Sequence, residues 1–292
     1  MRLAFGTFLG LPDPMAFGGD KNFIENRWRA SNCKALAARL DGRLIGSNFA
    51  TRWGSFGILG PLTVLPEFWN KGVAQRLMAG AVKIFDRWGV RHSGLFTFPH
   101  SAKHIGLYQK FGYWPGYLTA LVSRTPAGDH TEQPLLLSSL SRGQRPDTMA
   151  ECARLTNRIS KGLDLTAEIR STLDQQAGDV VLTRGRGALD GFAICLHGAG
   201  TEGGSKSCYI KFGAARSGTG AGERFDRLLS ACDAYAASRG LDIEAGINLA
   251  RQDAFQRLRA RGYRVMTQGV SMQRPHDAGF NRPDVYALDD WR

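Results

Sequence analysis

The stretch Trp69-Asn70-Lys71-Gly72-Val73-Ala74, followed downstream by Tyr108-Gln109-Lys110-Phe111-Gly112-Tyr113, decides the fold because the chain carries the same pattern a second time. The second copy is Ser217-Gly218-Thr219-Gly220-Ala221-Gly222, with Leu258-Arg259-Ala260-Arg261-Gly262-Tyr263 behind it. Gly72 and Gly112 stand 40 positions apart, Gly220 and Gly262 stand 42 apart, so the internal spacing is nearly kept. In each copy a strand enters a glycine-containing turn that opens a helix, and a further strand and helix lead to Gly-Tyr. A chain of 292 residues has room for about two domains. Self-similarity at this distance predicts a tandem repeat of one domain.

Reading outward from the first turn, the apolar run Phe56 to Val64 is a buried strand, Arg43 to Trp53 is its hairpin partner, and Asp41-Gly42 is the turn into that partner. Val73, Leu77, Ala81, Ile84, Phe85 and Trp88 recur at helical steps until Gly89. A strand Ser93–Phe98, a short helix capped by Ser101 and running to about Phe111, and a closing strand Tyr113–Ser123 complete the first copy. The polar segment 125–133 is the expected linker, which divides the chain into domains 1–124 and 134–292. The second domain reads as a strand Leu135–Leu140, a helix Arg145–Arg158, a hairpin of Val180–Leu182 with Gly191–Leu196, a strand Ser207–Ala215, a helix Glu223–Ala237, a strand Ile243–Ile247 and a helix Asp253–Arg261. The first copy has no counterpart of Leu135–Leu140. It begins with Leu3–Leu9 and a Pro12-Asp13-Pro14 turn, so its first strand is expected to be missing or supplied from elsewhere.

Composition narrows the function classes. Five scattered cysteines with no C-x-x-C pair point to reduced, buried thiols of a cytoplasmic protein and to neither a disulfide framework nor a metal site. No run is long enough to cross a membrane. Residues 1–124 hold 16 lysines and arginines against 6 acidic residues, a net +10, and the remainder holds 22 against 20, a net +2. A basic first half suits a polyanionic partner, nucleic acid or a phosphorylated cofactor. The charges come singly and form no nucleic-acid motif, which favours the cofactor.

A helix that starts in a glycine turn after a strand offers unpaired N–H groups and the positive end of its dipole to a pyrophosphate. Gly72 and Ala74 allow close backbone approach, while Lys71 and Arg76 add charge. With the downstream motif, this turn resembles the GNAT superfamily of acyl-CoA-dependent N-acetyltransferases. Gly72 and Ala74 match the family's phosphate loop, with Trp69 in place of its Gln or Arg. Leu107, Tyr108, Gly112 and Tyr113 match its second motif, with Ser101 and His104 in place of its Asn and Ala.

The resemblance implies an α+β fold, a mixed sheet flanked by helices and splayed open after its fourth strand. Acetyl-CoA would be the co-substrate, with its pantetheine arm beside the backbone of Leu62 to Val64 and its pyrophosphate at Gly72, Val73 and Ala74. No metal is implied. Transfer of the acetyl group to an amine would proceed by direct attack on the thioester, with Tyr108 as the general acid, since a phenol stays protonated at neutral pH. Glu67, the only acidic residue between Asp41 and Asp86, is the candidate base, and is equally a solvated carboxylate near a helix start. His100 and His104 flank the expected cleft, as participants or as surface imidazoles. In the second copy Leu258 stands where Tyr108 does and Glu223 follows the turn, so that copy is expected to be degenerate, shaping the acceptor cleft. Trp69 and the unsettled base leave open an alternative, a non-catalytic GNAT-like module that senses acyl-CoA or binds a protein. Oligomerisation and the identity of the amine are left open.

Overall fold

The computed structural model describes residues 1–126, 133–185 and 187–292. The expected linker 125–133 falls mostly outside the described residues. The first half runs α1 (Arg2–Phe8), α2 (Glu25–Arg29), β1 (Cys33–Leu40), β2 (Arg43–Trp53), β3 (Phe56–Leu59), β4 (Thr63–Val64), α3 (Val73–Arg87), β5 (His92–Thr97), α4 (Ala102–Gln109) and β6 (Trp114–Arg124). The second runs β7 (Leu135–Leu136), α5 (Gln144–Ile159), α6 (Thr166–Asp174), β8 (Gly178–Gly185), β9 (Ala188–Gly198), β10 (Gly204–Ala215), α7 (Ala221–Ala237), β11 (Asp242–Asn248), α8 (Gln252–Ala260), β12 (Arg264–Arg274) and β13 (Ala287–Leu288). From α3 to β6 and from α7 to β12 the order of elements is the same.

Local chemistry accounts for most of these elements. Asp41 and Gly42 both adopt positive φ, 49° and 79°, which turns β1 back along β2 with the twist a hairpin needs. The apolar stripe of α3 buries Leu77, Met78, Ala81, Ile84 and Phe85 against the sheet. The sequence reading lacks α2, α6, β12 and β13, and differs at three further places. Leu3–Leu9 lies mainly in the helix α1. The strand at Leu135 is two residues long and passes into a 3-10 turn at Leu137–Ser139. The strand from Phe56 to Val64 is broken at Gly60-Pro61-Leu62, where proline brings no N–H to a ladder.

The two halves share one 13-stranded sheet, ordered β1-β2-β3-β5-β12-β6-β11-β10-β9-β8-β7, with β4 beside β2 and β13 beside β10. The closing strands are exchanged. β12 of the second half lies antiparallel to β5 of the first, Val270 opposite Thr97, and β6 of the first lies antiparallel to β11 of the second, Val122 opposite Ala245. β12 and β6 also pair with each other, Gly269 opposite Thr119. Every central strand therefore finds its neighbour in the other half.

The cores are shared as well. One cluster joins Trp53, Phe56 and Ile58 of the first half to Leu155, Phe192, Phe212, Phe280 and Trp291 of the second. A buried ionic seam lies beside it. Arg27 donates two hydrogen bonds to Glu202, at 3.0 and 2.9 Å, and Lys211 donates a third at 2.5 Å. Burial alone would raise the Glu202 pKa, but these two cations hold it down at about 2. All five cysteines are free and buried. No described helix is long and apolar enough to cross a membrane.

Candidate active site

The break at Gly60-Pro61-Leu62 creates the site. β3 pairs with β2 at Ala50–Trp53 and runs parallel to β5, whereas β4 keeps only β2, at Gly46 and Ser47. Past Leu59 the chain leaves β5 and a cleft of about 700 Å³ opens between β4, the start of α3 and α4. Leu62, Val64, Gly72, Val73, Ala74 and Tyr108 line it together, so most of the residues singled out from sequence share one surface.

The floor at α3 has the form an anion needs. Gly72 is the N-cap at φ 76° and brings no capping side chain. The first N–H groups of the helix thus have no intrahelical partner, and they meet the positive end of the dipole. The space beside the glycine is open: a Cβ added to Gly72 would find nothing nearer than Gln75 Oε1 at 4.0 Å. Trp69, at the position where the family has Gln or Arg, lines the cleft and donates from Nε1 to the Val64 carbonyl at 2.8 Å, tying the loop to β4.

The charged candidates are arranged differently. Lys71 and Arg76 are outside the lining, with Lys71 placed 5.2 Å over the Phe68 ring. The cations on the wall are Lys103, 5.3 Å over the Trp69 ring, and Lys110. Both sit on or just after α4, and no phosphate-loop pattern would have singled them out. Glu67 also lies outside the lining; its carboxylate is 54% exposed and paired with Arg43 at 2.5 Å.

Tyr108 is 6% exposed on α4. Burial pushes its pKa up to about 12, against a smaller opposing pull from Thr97, so the phenol keeps its proton across the physiological range. His104 lies four residues earlier on the same helix, hence on the same face, and lines the same cleft. His100 stacks on Phe8 at 6.3 Å and is not part of the lining. Ala4, Phe5 and Phe8 of α1, which the sequence reading left without a role, form the remaining wall. Among the described residues no group of three or more His, Cys, Asp or Glu side chains could hold a metal ion.

The corresponding place in the second half is filled by the chain itself. β10 runs parallel to β11 only from Ser207 to Ile210. Into the gap beyond it comes β13, pairing Leu288 with Gly213 and Ala287 with Ala214. A Cβ added to Gly246 of β11 would lie 2.2 Å from Cβ of Asp290, so the tail packs on both diverging strands. Buried Arg251 anchors it, donating to the Ala287 carbonyl at 2.9 Å and pairing with Asp289 at 2.8 Å. At the turn, Arg224 donates to the carbonyls of Arg216, Ser217, Gly218 and Thr219. A Cβ on Gly222 would meet Arg257 Nη2 at 2.3 Å. Leu258, the counterpart of Tyr108, is fully buried in the core.

A mixed sheet that opens beside a glycine-started helix, with a buried tyrosine on the next helix, defines the N-acetyltransferase class of folds. Residues 9–113 match the model of the acetyltransferase (GNAT) family. Two similar solved structures are a protein described as an acetyltransferase from Pyrococcus horikoshii and a GCN5-related N-acetyltransferase from Sphaerobacter thermophilus. The first gives a TM-score of 0.64 at 15% identity over 88% of this chain and 79% of its own. The second gives 0.54 at 14% identity over 82% and 80%. These likenesses show the fold, over both halves. No curated protein matches the chain.

Proposed function

We propose that the first half transfers an acetyl group from acetyl-CoA to a primary amine. One observation carries this reading: the open helix start at Gly72–Ala74, the backbone of β4 and the phenol of Tyr108 line one cleft of about 700 Å³, while β13 and three arginines occupy the equivalent place in the second half.

The groups that line the cleft divide the work. The N–H groups at the start of α3 bind the pyrophosphate, and Lys103 and Lys110 add charge beside it. Backbone groups of Leu62 and Val64 orient the pantetheine arm along β4. Tyr108, protonated and buried, hands its proton to the departing thiolate, a transfer that contributes 10²–10⁴-fold for a positioned acid. Lys71 and Arg76, outside the lining, serve only as distant charge. Glu67 is held at the surface by Arg43 and has no part in the reading.

Calorimetry with acetyl-CoA tests it. The expected result is one site per chain, abolished by Gly72→Glu and kept by Gly220→Glu. Two sites, or the opposite response of the two variants, would reverse the assignment. Binding without release of CoA thiol, with any amine offered, would favour a sensing module.

A further inference from the structure

We propose that the acceptor is a monoamine with an aromatic or otherwise apolar body, seated against Phe5, Phe8 and Phe98, and that the His104 imidazole takes its proton. This rests on the reading of the cleft as an acyl-transfer site. Phe8 meets Phe98 at 4.8 Å between ring centroids and meets the edge of His104 at 4.7 Å; Phe5 meets Phe98 at 6.3 Å. All four are only partly buried, and all line the cleft. They form an aromatic wall beside the face of α4 that carries Tyr108.

The wall selects by charge as well as by shape. None of the described residues lining the cleft is Asp or Glu. An amine bearing a second ammonium would bring that charge out of water with no carboxylate to receive it, and an unpaired desolvated charge is strongly unfavourable. An apolar body instead gains from burying its surface against the rings. Polyamines and aminosugar polycations are disfavoured on this ground.

His104 supplies the base that Glu67 does not. Its Nδ1 is buried and has no hydrogen-bond partner, so a protonated ring would hold an N–H there with nothing to accept it. Burial first, then the charges of Lys103 and His100, lowers its pKa. From α1 it faces Phe8, and Arg2, the only charged side chain of α1, is turned to the carbonyls of Phe17 and Lys21. A ring that is neutral at pH 7 has a lone pair to offer, and since Nδ1 is closed off the accepting nitrogen is Nε2.

The protons balance. His104 takes one from the ammonium, and the freed nitrogen lone pair forms the C–N bond at the thioester carbonyl carbon. The C–S bond breaks with its electron pair on sulfur, which takes the Tyr108 proton. The second proton leaving nitrogen restores the phenol, and His104 releases its own to solvent.

The test offers the full chain acetyl-CoA with 2-phenylethylamine, tryptamine, spermidine or kanamycin and follows release of CoA thiol. The aryl amines should exceed the polycations at least a hundredfold in kcat/KM. His104→Gln should lower kcat by about 10²–10⁴-fold and abolish the acidic limb of the pH profile, with acetyl-CoA affinity unchanged by calorimetry. Phe8→Ala should weaken binding of 2-phenylethylamine, read without turnover by saturation-transfer NMR, about tenfold. Spermidine or kanamycin as the better acceptor, or no turnover of either aryl amine, would overturn the acceptor class. An unchanged kcat and acidic limb in His104→Gln would remove the base. Failure of acetyl-CoA to bind at all would instead overturn the acyl-transfer reading beneath both.

Discussion

Two glycine turns, Trp69–Ala74 and Ser217–Gly222, start from nearly the same local instruction and end differently. Both place a glycine in the left-handed region as the N-cap of a long helix, Gly72 at 76° and Gly220 at 75°. Around the first, Gln75 Oε1 is the nearest atom to an added Cβ, at 4.0 Å, and the cleft stays open. Around the second, Arg224 Nη1 is already within 3.3 Å, and β13 lies along the strand where a pantetheine would otherwise run. The turn makes a site feasible; what packs over it decides whether a site exists.

The largest expected effect breaks the comparison at the sheet. A chain ending at Arg124 loses β12, which leaves β5 and β6 with bare edges and exposes Trp53, Phe56 and Ile58. It should aggregate on gel filtration and show no cooperative melt. A soluble, active 1–124 fragment would show that the second half is a passenger.

Next in size is Tyr108→Phe, expected to lower kcat by about 10²–10⁴-fold with acetyl-CoA affinity unchanged in calorimetry. Unaltered turnover would remove the tyrosine from the mechanism and, with it, the chemical distinction between the halves.

A smaller effect concerns the seam that joins them. The pKa of Glu202 is held at about 2, below its ordinary value of 4.5, so its contribution is fully present above that value and is lost as pH falls toward 2. Between pH 7 and pH 3 the acid-induced loss of stability should shrink by about 2 kcal/mol in a chain where Glu202 is replaced by Gln, although that variant is less stable at pH 7. Chemical denaturation at pH 7 and pH 3 measures both; equal pH dependence in the two proteins would refute the seam's role.

The smallest expected effect is none. Adding Leu258→Tyr to Tyr108→Phe should restore no activity, because the phenol would enter a filled core beside an occupied gap. Circular dichroism checks that the double variant folds; measurable recovery would mean that the second cleft can open.

Much of the lining of the first cleft was legible in the chain because its determinants are local. Gly72, Ala74 and Tyr108 sit at spacings that a strand, a turn and two helices fix by themselves. The aromatic wall was not legible: Phe5 and Phe8 lie about ninety residues from Phe98, and the short helix that brings them together carries no motif. His104 stood in a recognised motif position, yet its value as a base depends on burial that only packing supplies. Glu67 misled for the converse reason. It is close to the expected thioester along the chain, but its carboxylate is paired at the surface with Arg43, at the start of β2, and lies outside the cleft lining.

By itself the sequence determined the two glycine turns, the resemblance of the first half to the acetyltransferase family, much of the order of elements and the leucine at the phenol's place in the second copy, since these follow from residue identity and near-neighbour geometry. Tertiary structure alone decided which strand lies beside which and what fills the second gap. Residues 264–274 could close either half, and residues 287–288 could lie along any open strand edge. Backbone ladders carry no sequence label, so the choice falls to burial: Trp291 packed on Gly94, Arg251 paired with Asp289, and Arg27 with Glu202.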